Sequence, residues 1–162
     1  QVLHACTVAR RRPKRLLAKL AEEIPGKLPQ FDAGGLCVCI HAYAQMRNRD
    51  SRLFAAATRR LLHPELRPQL HVAHLASLLY SHARALLSDK GLMRVARSRV
   101  AEEADGLSVE DIATILHAFA TLQVHDPSAT AACARAVAER AMEGSLPTLC
   151  DALSALARLG AP

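Results

Sequence analysis

Three arginines, Arg10, Arg12 and Arg15, recur 37 residues further on as Arg47, Arg49 and Arg52. A guanidinium is planar, always charged, and offers a fork of N–H donors that matches two phosphate oxygens. A register-matched set of guanidinium groups is the footprint of a polyanion, with a nucleic acid backbone as the first candidate. Arg11 and Lys14 fall within the same set, and Arg59, Arg60, Arg94, Arg97 and Arg99 carry the basic character downstream. A single arginine is more often a solvated side chain, and an acidic protein patch would attract the same cluster. Density and register favour phosphate. The charge is also unevenly divided. Residues 1–100 hold 18 Lys and Arg against 6 Asp and Glu, and residues 101–162 hold 3 against 9, so a net +12 is followed by a net −6. RNA is expected at the basic half, and protein neighbours at the acidic half, whose charge repels phosphate.

Other chemistry is weakly signalled. His71 and His74 stand three residues apart, with His82 two turns on. No nearby acid or cysteine completes a zinc shell around them. Cys37 and Cys39 are too close for a zinc knuckle, and most of the five cysteines fall on apolar stripes. They read as reduced core thiols in a reducing interior. Glu102, Glu103, Glu110 and Asp111 flank helix ends, where acids serve as solvated charges or partners of a helix dipole. No phosphate-binding glycine loop, nucleophile elbow or paired Cys and His is present. The reading is a non-enzyme with no catalytic residue, metal or cofactor. No apolar run is long enough to span a membrane. Aromatics are only 3% of the chain. Contact with phosphates and RNA shape is therefore expected more than base-by-base stacking.

These residues are positioned by an internal repeat. The segments Leu3-His4-Ala5-Cys6-Thr7, Ile40-His41-Ala42-Tyr43-Ala44, Leu79-Tyr80-Ser81-His82-Ala83, Leu116-His117-Ala118-Phe119-Ala120 and Leu153-Ser154-Ala155-Leu156-Ala157 follow one another at intervals of 37, 39, 37 and 37 residues. Leu36, Leu75, Ile112 and Leu149 precede the last four motifs by four residues, which makes an i, i+4, i+7 helical stripe. The small residue in each motif lets a neighbouring helix come close. We call this helix A. Asp50, Asp89 and Asp126 lie about six residues past the motif and are N-cap candidates for a second helix, B, with Pro127 at a first helical position and Pro13 in the equivalent place. The B helices are expected at 14–24, 51–62, 90–102 and 127–142, with turns at Pro25-Gly26, Pro64, Gly106 and Gly144. No stretch alternates with period two, so no strand is expected. The fold class is all-α: one α-solenoid of about four stacked hairpins over 1–162, with repeats near 1–30, 31–68, 69–106 and 107–144 and a half repeat at 145–162. Equivalent turns lie side by side in such an array, so the arginines of the first two turns should form one ridge. His4, His41 and His117 share a repeat position with Tyr80 and Ser154, either facing a ligand or lying at a helix interface.

The segment Leu-Ser-Val-Glu-Asp-Ile-Ala-Thr-Ile-Leu-His-Ala-Phe-Ala-Thr-Leu at 107–122, and its echo at 149–160 ending Ala-Leu-Ala-Arg-Leu-Gly, resemble the octotricopeptide and heptatricopeptide repeats of organellar RNA-binding proteins. They are also similar to the repeats of FAST-kinase and RAP-domain proteins. The 37-residue interval exceeds the roughly 34 of tetratricopeptide repeats. The resemblance implies an α-solenoid in the mitochondrial matrix, or else a plastid, working on organellar RNA. A short array fits a structural component of a ribonucleoprotein, with the mitochondrial ribosome and its rRNA as first guess. The alternatives are a protein-binding scaffold subunit of an organellar complex and a transcript-processing or stability factor.

The repeat also bears on the ends. The array opens within a helix A and closes after another, so both end faces are expected to be covered, by neighbouring molecules or by further chain. Burying each leucine of the last stripe is worth about 1.5–3 kcal/mol. In the isolated chain, amides of 149–159 are expected to exchange faster than those of the central repeats, as hydrogen exchange can measure. Equal protection in a monomer would refute this.

Overall fold

The computed structural model describes residues 13–160. Among these residues there are eight helices and no strand. They are α1 (Lys14–Lys27), α2 (Ala33–Gln45), α3 (Ser51–Leu61), α4 (Val72–Ala85), α5 (Lys90–Glu103), α6 (Val109–Leu122), α7 (Pro127–Glu139) and α8 (Leu146–Leu159). The A helices α2, α4, α6 and α8 pack each on the next in one layer, and α1 lies on α3 and α5 on α7 in a second. Short 3-10 turns return each B helix to the following A helix. The chain is an all-α array of stacked helix pairs. The first motif, with His4 and Cys6, lies outside the described residues.

The expected stripes build the core. In α2, α4 and α6 the positions Leu36, Ile40, Leu75, Leu79, Ile112 and Leu116 are fully buried. So are the small residues Ala42, Ser81, Ala118 and Ala155, over which successive A helices meet. The last helix shows what a neighbour supplies. Leu153 is 61% exposed, whereas Leu116, its equivalent one repeat earlier, is at 0%.

Caps set the boundaries. Asp50, Asp89 and Asp126 accept from the backbone N–H of Leu53, Leu92 and Ala129 at 2.9, 2.8 and 2.9 Å. Ser108 and Ser145 do the same for α6 and α8. Each A helix ends in a residue with positive φ: Arg47, Leu86, Gln123 and Gly160 at 53°, 55°, 55° and 72°. These four are repeat equivalents, and only the last is a glycine. The left-handed step folds the chain back so that the next N–H reaches into the helix, as from Asn48 to Tyr43 O at 2.9 Å. The sequence reading missed this step, because three of the four residues carry a side chain that disfavours it.

Two boundaries and one cap differ from expectation. Helix α1 runs through Pro25 and Gly26 to Lys27. A proline so near the end of the helix removes a single ladder bond, and the extra turn leads to buried Leu28. Helix α7 stops at Glu139, and a 3-10 turn follows at Ala141–Glu143. Pro13 occupies the N-cap of α1, not its first helical position, and no side chain caps that end.

Arginines clasp the junctions between helix pairs. Arg99 of α5 donates from Nη1 to the carbonyl of Leu70, just before α4, and pairs with Glu103 at 2.8 Å. Arg140, after α7, reaches the carbonyl of Leu107 just before α6, and that of Ala104 at 3.2 Å. Leu70 and Leu107 are repeat equivalents that end 3-10 turns. Their carbonyls have no further helix to bond into, so the charged donors satisfy them.

One imidazole lies inside the core. His82 occupies the position held elsewhere by Tyr43, Phe119 and Leu156. Its Nδ1 donates to Leu87 O at 2.8 Å, its Nε2 accepts from the Thr58 hydroxyl at 3.0 Å, and its ring stands nearly perpendicular to that of Phe54, centroids 5.3 Å apart. The bonds tie α4 to α3 and to the following turn. Burial holds the imidazole below its ordinary 6.5 and outweighs the Leu87 bond and the Asp89 charge, which act the other way.

Two outcomes are expected. A base depressed on folding binds fewer protons folded than unfolded, so its contribution is complete above 6.5 and is lost as pH falls below that value. Thermal melts should therefore show a Tm that drops toward about pH 5, and H82Q should flatten the drop while lowering Tm at neutral pH. Arg99→Ala and Arg140→Ala should each cost about 1–2 kcal/mol in urea unfolding, against about 0.5 kcal/mol or less for exposed Arg94→Ala.

Candidate functional site

The basic residues expected to touch RNA do not share one fate. Arg10, Arg11 and Arg12 lie outside the described residues. Lys14 and Arg15 are exposed in the first turn of α1, Arg47 and Arg49 are exposed in the turn after α2, and Arg52 is exposed in the first turn of α3. One hydrogen bond holds the two turns together: the buried Tyr43 hydroxyl donates to Leu17 O at 2.8 Å. Tyr43 also accepts from Asn48, so the 46–50 turn is fastened to the start of α1. With α1 against α3, five cations gather at one edge of the array: Lys14, Arg15, Arg47, Arg49 and Arg52. Among the described residues none of them forms an ion pair, and neither α1 nor α3 has an acid in its first turn. Cations there oppose the helix dipole, which at α3 is met only by the capping carboxylate of Asp50.

The remaining basic residues divide. Arg59 is exposed on α3. Arg94 and Arg97 of α5 line a shallow hollow of about 550 Å³ with Ser98, Glu102, Asp126 and Ser128, and Arg97 Nε stands 4.0 Å from Asp126. Arg60 is largely covered and pairs with Glu65 at 2.7 Å, while Arg99 is taken up by Leu70 O and Glu103. These last two serve the fold. The Arg99–Glu103 pair is readable as an i, i+4 spacing in the sequence, whereas the Leu70 carbonyl is not.

The histidines do not converge. His71 and His74 have rings 5.5 Å apart, and His82 is buried against α3. Among the described residues no group of three His, Cys, Asp or Glu is placed to hold a metal ion. Burial raises the thiols of Cys37, Cys39 and Cys133 to about 12, 11 and 12, so they stay protonated, while Cys150 is exposed. No described helix is long and apolar enough to cross a membrane. Tyr43 and Phe119 are core, as the stripe implied. Tyr80 is not. It is half-buried on the outer face of the A layer, where its ring stacks on His41 at 5.7 Å. The repeat position of His41, Tyr80 and His117 thus faces outward.

In a comparison with protein-family models, residues 1–160 match the RNA-editing substrate-binding complex 6 protein (RESC6). No curated protein sequence matches the chain. The match corrects the sequence-based resemblance: nearly the whole chain fits this family rather than the octotricopeptide, heptatricopeptide or RAP-type repeats. Leu- and Ala-rich hairpins of similar period arise wherever A helices must pack closely, so period and stripe do not separate such families. The match lends no support to a ribosomal role or to rRNA as the partner. A chain matched from residue 1 to residue 160 of its 162 belongs to the RNA-editing substrate-binding complex 6 protein family.

Proposed function

We propose that the chain is a non-catalytic scaffold subunit of an RNA-editing substrate-binding assembly, with RNA phosphates held along one edge and protein neighbours on the rest. The observation that carries this reading is the edge of unpaired cations at Lys14, Arg15, Arg47, Arg49 and Arg52, on a chain of this family. The packing of α1 on α3 brings the two clusters together, and several cations side by side can neutralise several phosphates. The acidic half, net −6 over 101–162, repels such a strand and suits protein contact. The exposed Leu146 and Leu153 of α8 leave apolar surface for a neighbour on the same side. We place the assembly in the mitochondrion, where a reducing matrix suits the buried thiols. The role needs no catalytic group, metal or cofactor.

Reversing Arg47, Arg49 and Arg52 to Glu is expected to weaken binding of RNA oligonucleotides of any sequence. It should also lower the slope of log K against log salt by about one unit per lost phosphate contact. Filter binding or anisotropy across a salt series measures both. An unchanged affinity and slope would remove this edge as the RNA site. The same substitutions should leave the unfolding midpoint nearly unchanged, because all three side chains are exposed.

A further inference from the structure

The outer face of the A layer carries four rows of side chains, one residue per helix in each row. The first row is Gly34, Ala73, Glu110 and Pro147, and the second is Val38, Ser77, Thr114 and Asp151. The third is His41, Tyr80, His117 and Ser154, and the fourth is Gln45, Arg84, Thr121 and Arg158. No helix of the described chain covers this face. Along α2 and α4 the third row is already engaged. His41 stacks on Tyr80, its Nδ1 lies 3.5 Å from the Ser77 hydroxyl and its Nε2 lies 3.3 Å from the Gln45 amide.

Beyond Tyr80 the face opens. A groove of about 380 Å³ lies over α6, lined by the rings of Tyr80 and His117, by buried Ala113, and by Thr114 and Thr148. Glu110 of α6 and Asp151 of α8 also line it, at row positions that are uncharged on α2 and α4. Both carboxylates are exposed and, among the described residues, form no ion pair. Several acids elsewhere are occupied: Asp50, Asp89 and Asp126 cap helices, and Glu65, Glu103 and Asp105 pair with arginines. The two hydroxyls are occupied as well. Thr114 donates to Glu110 O at 2.8 Å, and Thr148 lies 2.8 Å from the Ser145 hydroxyl. The groove therefore offers π faces and negative charge.

We propose that this groove over α4, α6 and α8 docks an arginine-bearing segment of a partner protein, a guanidinium lying against Tyr80 and His117 with Glu110 and Asp151 accepting its N–H groups. The inference deepens the scaffold reading and rests on it. Charge complementarity decides the occupant. An RNA strand would bring phosphates toward two free carboxylates in a half of the chain with net −6. A guanidinium is planar, stacks on aromatic faces, is weakly hydrated and bonds carboxylates in a fork, so it uses every feature of the groove. Lysine would use the charge but neither the plane nor the fork.

The test uses the full chain and two labelled probes, a short peptide of alternating glycine and arginine and an oligouridine. By fluorescence anisotropy, E110Q/D151N is expected to weaken the arginine peptide about tenfold and leave oligouridine unchanged. The lysine counterpart of the peptide should bind the native chain more weakly than the arginine peptide does. Both substitutions are exposed and isosteric, and an unchanged circular dichroism melt confirms an intact fold. Peptide affinity that survives E110Q/D151N overturns the proposal, as does a loss of oligouridine in the same variant, which would make the groove an RNA site. The scaffold reading is checked separately, by whether the native chain joins the purified assembly. A chain that joins the assembly but does not bind the arginine peptide sinks this proposal alone.

Discussion

The close contact between successive A helices is the constraint on which the rest depends. It is made over Ala42, Ser81, Ala118 and Ala155, side chains small enough to let two backbones approach. An A helix with one such neighbour buries only part of its stripe, and a second neighbour completes the burial. Leu116 at 0% exposure and Leu153 at 61% are the same position with and without that completion. Stability in such an array is local and additive, a sum of repeat and interface terms. The same contact sets the period, because each helix pair must return the chain to the same place beside its predecessor. Equivalent positions then align in rows. The basic edge and the outer face of the A layer are both consequences of that alignment.

Polar groups inside the array fix how the pairs sit. An apolar stripe slides at small cost, whereas a buried hydrogen bond has one geometry. Tyr43 ties the second turn to α1, His82 ties α4 to α3, and Arg99 and Arg140 close the junctions before α4 and α6. Each bond joins residues far apart in sequence, and each satisfies a backbone or side-chain group that would otherwise lie buried and unpaired. Arginine at these junctions reaches across the turn with its stem against the core and its fork on carbonyl oxygens, which lysine matches poorly. Arginine abundance therefore reflects two demands, one internal and one at the surface.

Charge divides the surface into a basic and an acidic half. Among the described residues the cations at the starts of α1 and α3 form no ion pair, since Asp50, the acid beside them, is turned to the Leu53 N–H as a cap. In the second half, Arg135 and Arg140 meet Asp105 and backbone carbonyls. Glu110 and Asp151 are left free. For the proposed scaffold this arrangement would repel each partner from the other's surface.

Much of the fold was legible in the chain itself. The 37-residue interval, the i, i+4, i+7 stripe and the aspartates before each B helix require only local rules: helix periodicity, apolar burial and the unpaired N–H groups of a first turn. From these the helices, their order and their core residues follow, with small errors at Pro25 and at the end of α7. The family did not follow, since stripes of this kind serve any close-packed hairpin array. Nor did the roles of individual arginines. Arg52 and Arg60 look alike in sequence, yet one is exposed and the other is held by Glu65. The sequence left the position of Tyr80 open between a ligand-facing surface and a helix interface; packing puts it on the outer face, with His82 at the inner position that Tyr43 and Phe119 hold in their helices. Such distinctions depend on which groups meet across the array. A sequence determines which side chains share a helix face, but only packing decides whether that face meets another helix, an acid or open solvent.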